Sequence, residues 1–166
     1  MRKNQKNLSV GFLYILTIIG IFLLPFAIVK RSFKDWVIVY LVSILGNSMA
    51  DRYLVSRGYL KYNIRPFKKS FKIHLPFDYV HYPLMLLYYN QWTLNSKPLG
   101  IILKLFPFLL PQVLVETFAA RKTNFITWKR GWSWQHSFIS LAIKMLVCRG
   151  IISTIRMINR DDLSVD

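Results

Sequence analysis

The chain predicts an all-α fold, an integral membrane bundle of about five transmembrane helices. Three observations carry that prediction. The first is an uncharged run of 22 residues near the N-terminus, "LSVGFLYILTIIGIFLLPFAIV", from Leu8 to Val29. At 1.5 Å per residue a helix of that length matches the ~30 Å hydrocarbon core of a bilayer. The second is composition: 54% hydrophobic and 16% aromatic residues coexist with 23 Lys+Arg against 7 Asp+Glu, a formal net charge of +16. The third is arrangement, because the basic residues gather between long apolar runs. A soluble nucleic-acid binder of the same charge would not part its basic residues in this way, so nucleic acid is not expected as a partner.

The elements follow in order. The first span covers about residues 8–29. Its leader "MRKNQK" has the charge of a signal-peptide n-region, but the apolar run exceeds the usual ~7–15 residues and no small-x-small cleavage site follows, so an uncleaved helix is expected. The second span, 36–55, begins with "WVIVYLVSILGNSMA" and continues past Asp51. The third, 77–92, reads "FDYVHYPLMLLYYNQW" and is the shortest, which suits an upright helix or a thinned or protein-lined surround. In the fourth, 99–120, Pro107 and Pro111 stand one turn apart and predict a kink, because each removes a backbone donor. The fifth, 134–155, runs from Trp134 to Ile155. No repeat or flexible linker divides residues 1–166, so one domain is expected. The single cysteine, Cys148, leaves no internal disulfide and no cysteine-based metal site.

Lys and Arg concentrate in alternate connections, which sets the orientation. The N-terminus, the 56–76 connection with the end of the second span, and the 121–133 connection together hold 14 basic residues; the opposite side holds six. The N-terminus is therefore placed in the cytoplasm and the C-terminus outside, in a multi-pass protein of a bacterial plasma membrane. The "KRSFKD" turn after the first span runs against this bias. In the basic amphipathic connection 56–76, Arg57, Lys61, Arg65, Lys68, Lys69 and Lys72 alternate with aromatics. They are read as contacts to anionic phospholipid head groups, each contributing about 1 kcal/mol near the surface. A specific lipid-phosphate site is the alternative. Trp92, Trp128, Trp132 and Trp134 fall where interfacial belts form.

Ionisable residues at membrane depth are functional candidates by default. The topology brings Asp51, Asp78, His81, Glu116 and His136 to similar depth, roughly 0–8 Å inside the cytoplasmic boundary at 1.5 Å per residue. Asn47 and Ser48 lie beside that layer. Asp78 and His81 are three residues apart and share a helix face. Arg52 or Arg57 is within sequence reach of Asp51. Lys144 falls near the midplane of the fifth span, where a lysine costs ~2.5–3.5 kcal/mol, so it is expected to face Glu116 or Asp78. Lys104 is expected to snorkel outward. Three uses of the layer are open: interhelical glue worth about 0.6–2 kcal/mol per contact, a substrate or ion site, or a metal-dependent catalytic site. No metal-binding signature such as H-E-x-x-H is present, and neither metal nor cofactor is predicted. "DRY" at Asp51 to Tyr53 matches rhodopsin-like receptors, but five spans are not seven. "GNSMA" approaches the nucleophile elbow of serine hydrolases, yet Ser48 lies mid-helix, where it is expected to bond a backbone carbonyl; a Ser48–His136 dyad is a minor alternative.

The segments "GYLKY", "FDY", "YYNQ", "NSK", "GIIL" and "KRGWSWQH" resemble a family of small polytopic membrane proteins of Bacillus- and Clostridium-type bacteria. The resemblance covers most of the chain after about residue 36, and Asp78, Asn90, Gln91, Glu116 and His136 sit on its pieces. It implies a location and a fold, with no reaction attached. The family segment after "FDY" is more apolar than "VHYP", which sets His81 apart. The expected function is a non-enzymatic membrane binding or accessory protein, acting as a homo-oligomer or with a membrane-protein partner. The alternatives are a small transporter or ion-conducting protein using Asp78, Glu116 and His136, and an enzyme acting on lipid head groups.

Overall fold

A computed structural model describes residues 3–30, 32–64, 74–123 and 125–162. The chain is all-helical apart from one small sheet. Its elements are α1 (Lys3–Ile28), α2 (Phe33–Ser56), β1 (Leu60–Tyr62), a π-turn (Phe77–His81), α3 (Tyr82–Thr93), α4 (Pro98–Leu103), α5 (Phe106–Lys122), β2 (Ile126–Trp128) and α6 (Trp134–Asp162). Among the described residues, two helical stretches, Pro98–Lys122 and Trp134–Asn159, are long and apolar enough to cross a membrane, each with a mean hydropathy of 1.8. Tyr14–Ile28, the part of α1 whose side chains are described without a break, is apolar as well.

The buried centre is built by α3, which packs against α1, α2 and α6, with Leu86, Leu87 and Tyr89 fully enclosed. Close approach of α1 depends on Gly20: a Cβ there would stand 2.6 Å from Val80 Cγ1 of the π-turn. Pro83 explains the π-turn itself. It has no N–H to give to the Tyr79 carbonyl, and just before it the ladder widens so that the Tyr82 N–H bonds the Phe77 carbonyl. The freed Tyr79 carbonyl is taken by the Tyr40 hydroxyl of α2 at 3.1 Å.

The predicted kink in the fourth segment is a break. α4 stops at Leu103, and α5 restarts at Phe106 with Pro107 in its first turn, where a missing N–H leaves no bond unmade. Lys104 stands at this break and does not snorkel freely. Its Nζ donates to the Trp92 carbonyl at 3.1 Å and to Ser96 Oγ at 3.0 Å, and lies 5.1 Å from the Trp92 ring centre.

The connection after α2 also differs from a strip laid on head groups. Gly58 (φ 77°) closes α2 in a Schellman turn: the Tyr59 N–H bonds the Leu54 carbonyl, and the Gly58 N–H bonds Val55. β1 then pairs antiparallel with β2, Leu60 opposite Trp128 and Tyr62 opposite Ile126. Leu60 and Ile64 are buried, so this part of the connection packs into the protein. Of the residues expected at head groups, Arg57 and Lys61 are exposed; Arg65, Lys68, Lys69 and Lys72 lie outside the described residues. The sheet joins the connections before α3 and before α6 at one end of the bundle. Turns α1–α2 and α3–α4 and the end of α6 form the other.

Candidate functional site: an acidic cavity beneath the π-turn

A cavity of about 700 Å³ lies between two packed groups of elements. α5 and α6, packed on each other, wall one side; α2, the π-turn and Leu16 of α1 wall the other, and the sheet closes the base. Most of the lining is apolar. Its ionisable side chains are Asp51, Tyr62, His74, His81, Glu116 and Lys144.

The Asp51 carboxylate is 5% exposed and accepts from the Tyr62 hydroxyl at 2.6 Å through Oδ2. β1 pairing makes that contact possible, since it carries Tyr62 back over the end of α2. Burial, and then the charge of Asp51, pushes the Tyr62 phenol well above its ordinary range, so it stays a donor. Arg52 and Arg57 do not take that role: Arg57 lies over the Tyr53 ring at 5.4 Å. Asp78 is fully buried behind Asp51, and the two carboxyls lie close enough to interact directly. Asn47 Nδ2 donates to Asp78 Oδ1 at 2.7 Å, while Asp78 Oδ2 has no donor.

Lys144 reaches the carboxylates only indirectly. Its Nζ donates to Asn47 Oδ1 at 2.6 Å and stands 4.9 Å from the centre of the Tyr82 ring. The expected direct ion pair with Glu116 or Asp78 is therefore replaced by an amide bridge, Lys144–Asn47–Asp78. An amide can do this because it offers a donor to the carboxylate and an acceptor to the ammonium. Glu116 is held on Oε1 by Ser137 Oγ at 2.7 Å and by the Trp128 indole at 3.3 Å; among the described residues none donates to Oε2.

His81 Nδ1 faces the Pro76 carbonyl at 3.0 Å. A carbonyl only accepts, so in the neutral ring Nδ1 carries the hydrogen and Nε2 is an acceptor. That Nε2 is buried without a partner. His74 Nδ1 accepts from the Phe77 N–H at 3.3 Å, the position of an N-cap ahead of the π-turn. Burial, with His81 beside it, lowers His74 to about 4, so its ring is neutral near pH 7.

His136 does not belong to this site. It is exposed at the start of α6, bonded to Ser133 Oγ at 2.8 Å and resting on Trp132. The next residue, Ser137, points inward instead, because one residue is 100° around a helix. The Ser48–His136 dyad does not form either. Ser48 Oγ is buried with no partner, and it does not make the expected bond to a carbonyl. Among the described residues, no group of three or more His, Cys, Asp or Glu is placed to hold a metal ion. Tyr62, Ser137 and His74 went unnoticed in the sequence. Helical periodicity from Glu116's partner helix offered a signal for Ser137, but pairing of two distant loops offered none for Tyr62.

Comparison with family models, with curated proteins and with solved structures gives no match to this chain. The cavity's meaning rests on its own chemistry.

Proposed function

We propose that the chain is a multi-pass membrane protein of five spanning segments, N-terminus cytoplasmic, that binds a membrane-derived ligand in the cavity in a non-enzymatic, accessory role. The single observation that carries this reading is the cavity of about 700 Å³, apolar over most of its lining with a few ionisable groups converging on it. Its size falls in the range of small-molecule sites, and a few converging polar groups on an apolar wall are how such sites fix orientation.

Membrane placement is supported by the outer surface. Ile18, Phe22, Leu45, Leu114, Phe118, Ile143 and Val147 are all more than half exposed. In the two longest apolar stretches only 17% and 28% of the most apolar window is buried, whereas the core helix of a soluble protein is mostly covered. The proposed relatives, the small polytopic proteins of Bacillus- and Clostridium-type bacteria, have the same membrane setting.

Transport is the second reading. It is favoured by the line of polar groups from Asp51 through Asp78 and Asn47 to Lys144, which passes behind the cavity wall and returns to the cavity at Lys144. It no longer draws on His136.

Single cysteines placed one at a time at residues 56–76 in a Cys148→Ser background test the topology. Cells should shield them from an impermeant thiol reagent until the membrane is opened. Labelling from outside intact cells would reverse the orientation. Equal labelling of the exposed positions of α5 and α6 by water-soluble and lipid-soluble reagents would remove those helices from the bilayer.

A further inference from the structure

We infer that Asp51 and Asp78 form a proton-binding site on the cavity, the two carboxyl groups holding one exchangeable proton between them. This site is separate from whatever fills the rest of the cavity.

The geometry comes from α2 and the π-turn. Asn47 and Asp51 stand four residues apart on α2 and so share a face. The π-turn presents Asp78 to that face, and Asn47 Nδ2 holds its Oδ1 at 2.7 Å. Asp51, one turn along, makes the second contact, carboxyl to carboxyl. The Tyr40 hydroxyl, bonded to the Tyr79 carbonyl, fixes the π-turn against α2 beside the pair.

A count of donors then requires the proton. An ionised carboxylate only accepts, so two of them cannot bond each other; one hydrogen must lie between them. No neighbour supplies it. Asp78 Oδ2 is buried without a donor among the described residues. The Tyr62 hydroxyl is directed to Asp51 Oδ2, and Lys144 reaches Asn47 rather than either acid. His81 turns Nδ1 to the Pro76 carbonyl, and His74 Nδ1 takes the Phe77 N–H. Glu116 is engaged with Ser137 and Trp128, and the Tyr82 hydroxyl is buried without a partner. A cation elsewhere along the cavity would change how tightly the proton is held, but not the need for one.

Burial gives the pair its use. Asp78 is 0% exposed and Asp51 5%, so two full negative charges in contact there would repel with little water between them. One shared proton leaves a single charge, which Lys144 balances through the Asn47 amide. Asp51 lines the cavity and Asp78 does not, so the proton enters and leaves on the Asp51 side. Its departure to water or a base in the cavity breaks only the O–H bond and leaves two carboxylates that must part. Binding at Asp51 is thereby linked to the gain or loss of one proton.

Infrared spectroscopy of the full chain in phosphatidylcholine nanodiscs near neutral pH, with isotope-labelled aspartate, tests the site. Glu116 is the single glutamate among the 7 acidic residues, so the label separates it from every other acid. The natural chain should show the carbonyl stretch of one protonated carboxyl that moves with the aspartate label and shifts again in heavy water. Asp78→Asn should abolish that band. Its amide gives an N–H to Asp51 and still accepts from Asn47, so both contacts persist without the proton. Absence of a protonated aspartate from the natural chain, or a band that survives Asp78→Asn, would overturn the shared proton. A band that ignores the label and disappears in Glu116→Gln would put the proton on Glu116 and equally sink the pair. Failure to exchange in heavy water would rule out access from the cavity. Should Asp78→Asn not fold, the aspartate label in the natural chain still decides.

Discussion

The two ends of the bundle spend their polar side chains in opposite ways. At the end formed by turns α1–α2 and α3–α4, cations and amides are directed onto backbone carbonyls. Arg149 Nη2 donates to the carbonyls of Thr93 and Leu94 at 3.2 and 3.1 Å, closing the C-terminus of α3. Gln91 Nε2 donates to the Ala27 carbonyl at 2.6 Å, Lys30 Nζ bonds Gln91 Oε1 at 3.0 Å, and Asp35 pairs with Arg156 at 3.4 Å. At the sheet end, carboxylates surround a cavity and keep oxygens free. The first end ties helix termini together, although Asn90 Oδ1 and Arg149 Nε stay buried there without a partner; the second leaves Asp78 Oδ2 and His81 Nε2 so beside an open cavity. Unmet polar atoms inside a protein are expensive, and at the second end they stand beside the cavity.

The largest effect expected from breaking this contrast is at the first end. Arg149→Met should destabilise the protein by about 3 kcal/mol, because two buried carbonyls lose their donor at once. Arg149→Lys should recover part of that loss, since an ammonium keeps the charge but not the fork that spans both carbonyls. Equilibrium unfolding in mixed micelles measures the difference. A loss under about 1 kcal/mol would mean that Arg149 does not hold the two helices together.

Much of this arrangement was legible in the residues, and the failures have specific physical causes. Segments two, three and five are helical, as α2, the π-turn with α3, and the first part of α6, because long apolar runs favour helices; among the described residues only segments four and five are long and apolar enough to cross a membrane. Asp51, Asp78 and Glu116, grouped by depth, come together at the cavity, and Lys144, expected nearer the midplane, joins them through Asn47. Depth, however, says nothing about rotation, and His136 was placed inside for that reason. A helix turns 100° per residue, so a residue at the right height faces the right way only part of the time. The partner of Lys144 was misjudged for a different reason: Coulomb attraction favours the nearest carboxylate, while a buried amide satisfies both charges in shorter bonds. The sheet was illegible because three-residue strands carry almost no periodicity. Without it, Tyr62 could not be linked to Asp51.

A second, intermediate effect concerns acid at the second end. His74 has a folded value of about 4, below the ordinary 6.5 of a histidine. Between those values the unfolded chain binds more protons than the folded one, so stability is full above about pH 6.5 and is lost as the pH falls toward 4. The slope attributable to one such group is at most about 1.4 kcal/mol per pH unit. His74→Asn keeps an acceptor for the Phe77 N–H and removes the titration. Its unfolding midpoint should therefore vary less between pH 4 and 6.5 than that of the natural chain. Two parallel curves would assign the acid sensitivity to another group.

The smallest effects, and the finest resolution of the contrast, come from the neighbours His136 and Ser137. Ser137 Oγ lies between the Trp132 indole, 2.9 Å away, and Glu116 Oε1, 2.7 Å away. It receives from one and donates to the other, and it is buried. Ser137→Ala therefore strips a donor from a carboxylate and an acceptor from an indole, which should cost about 1–2 kcal/mol. His136→Ala removes only an exposed bond to Ser133 and a contact with Trp132, and should change stability by about 0.5 kcal/mol or less. Of the two neighbours Ser137 alone bonds the Glu116 carboxylate, together with the Trp128 indole, so the serine variant should show the larger loss in equilibrium unfolding. A reversed order would put His136 back among the cavity residues and require α6 to be turned by about one residue, some 100°, about its axis.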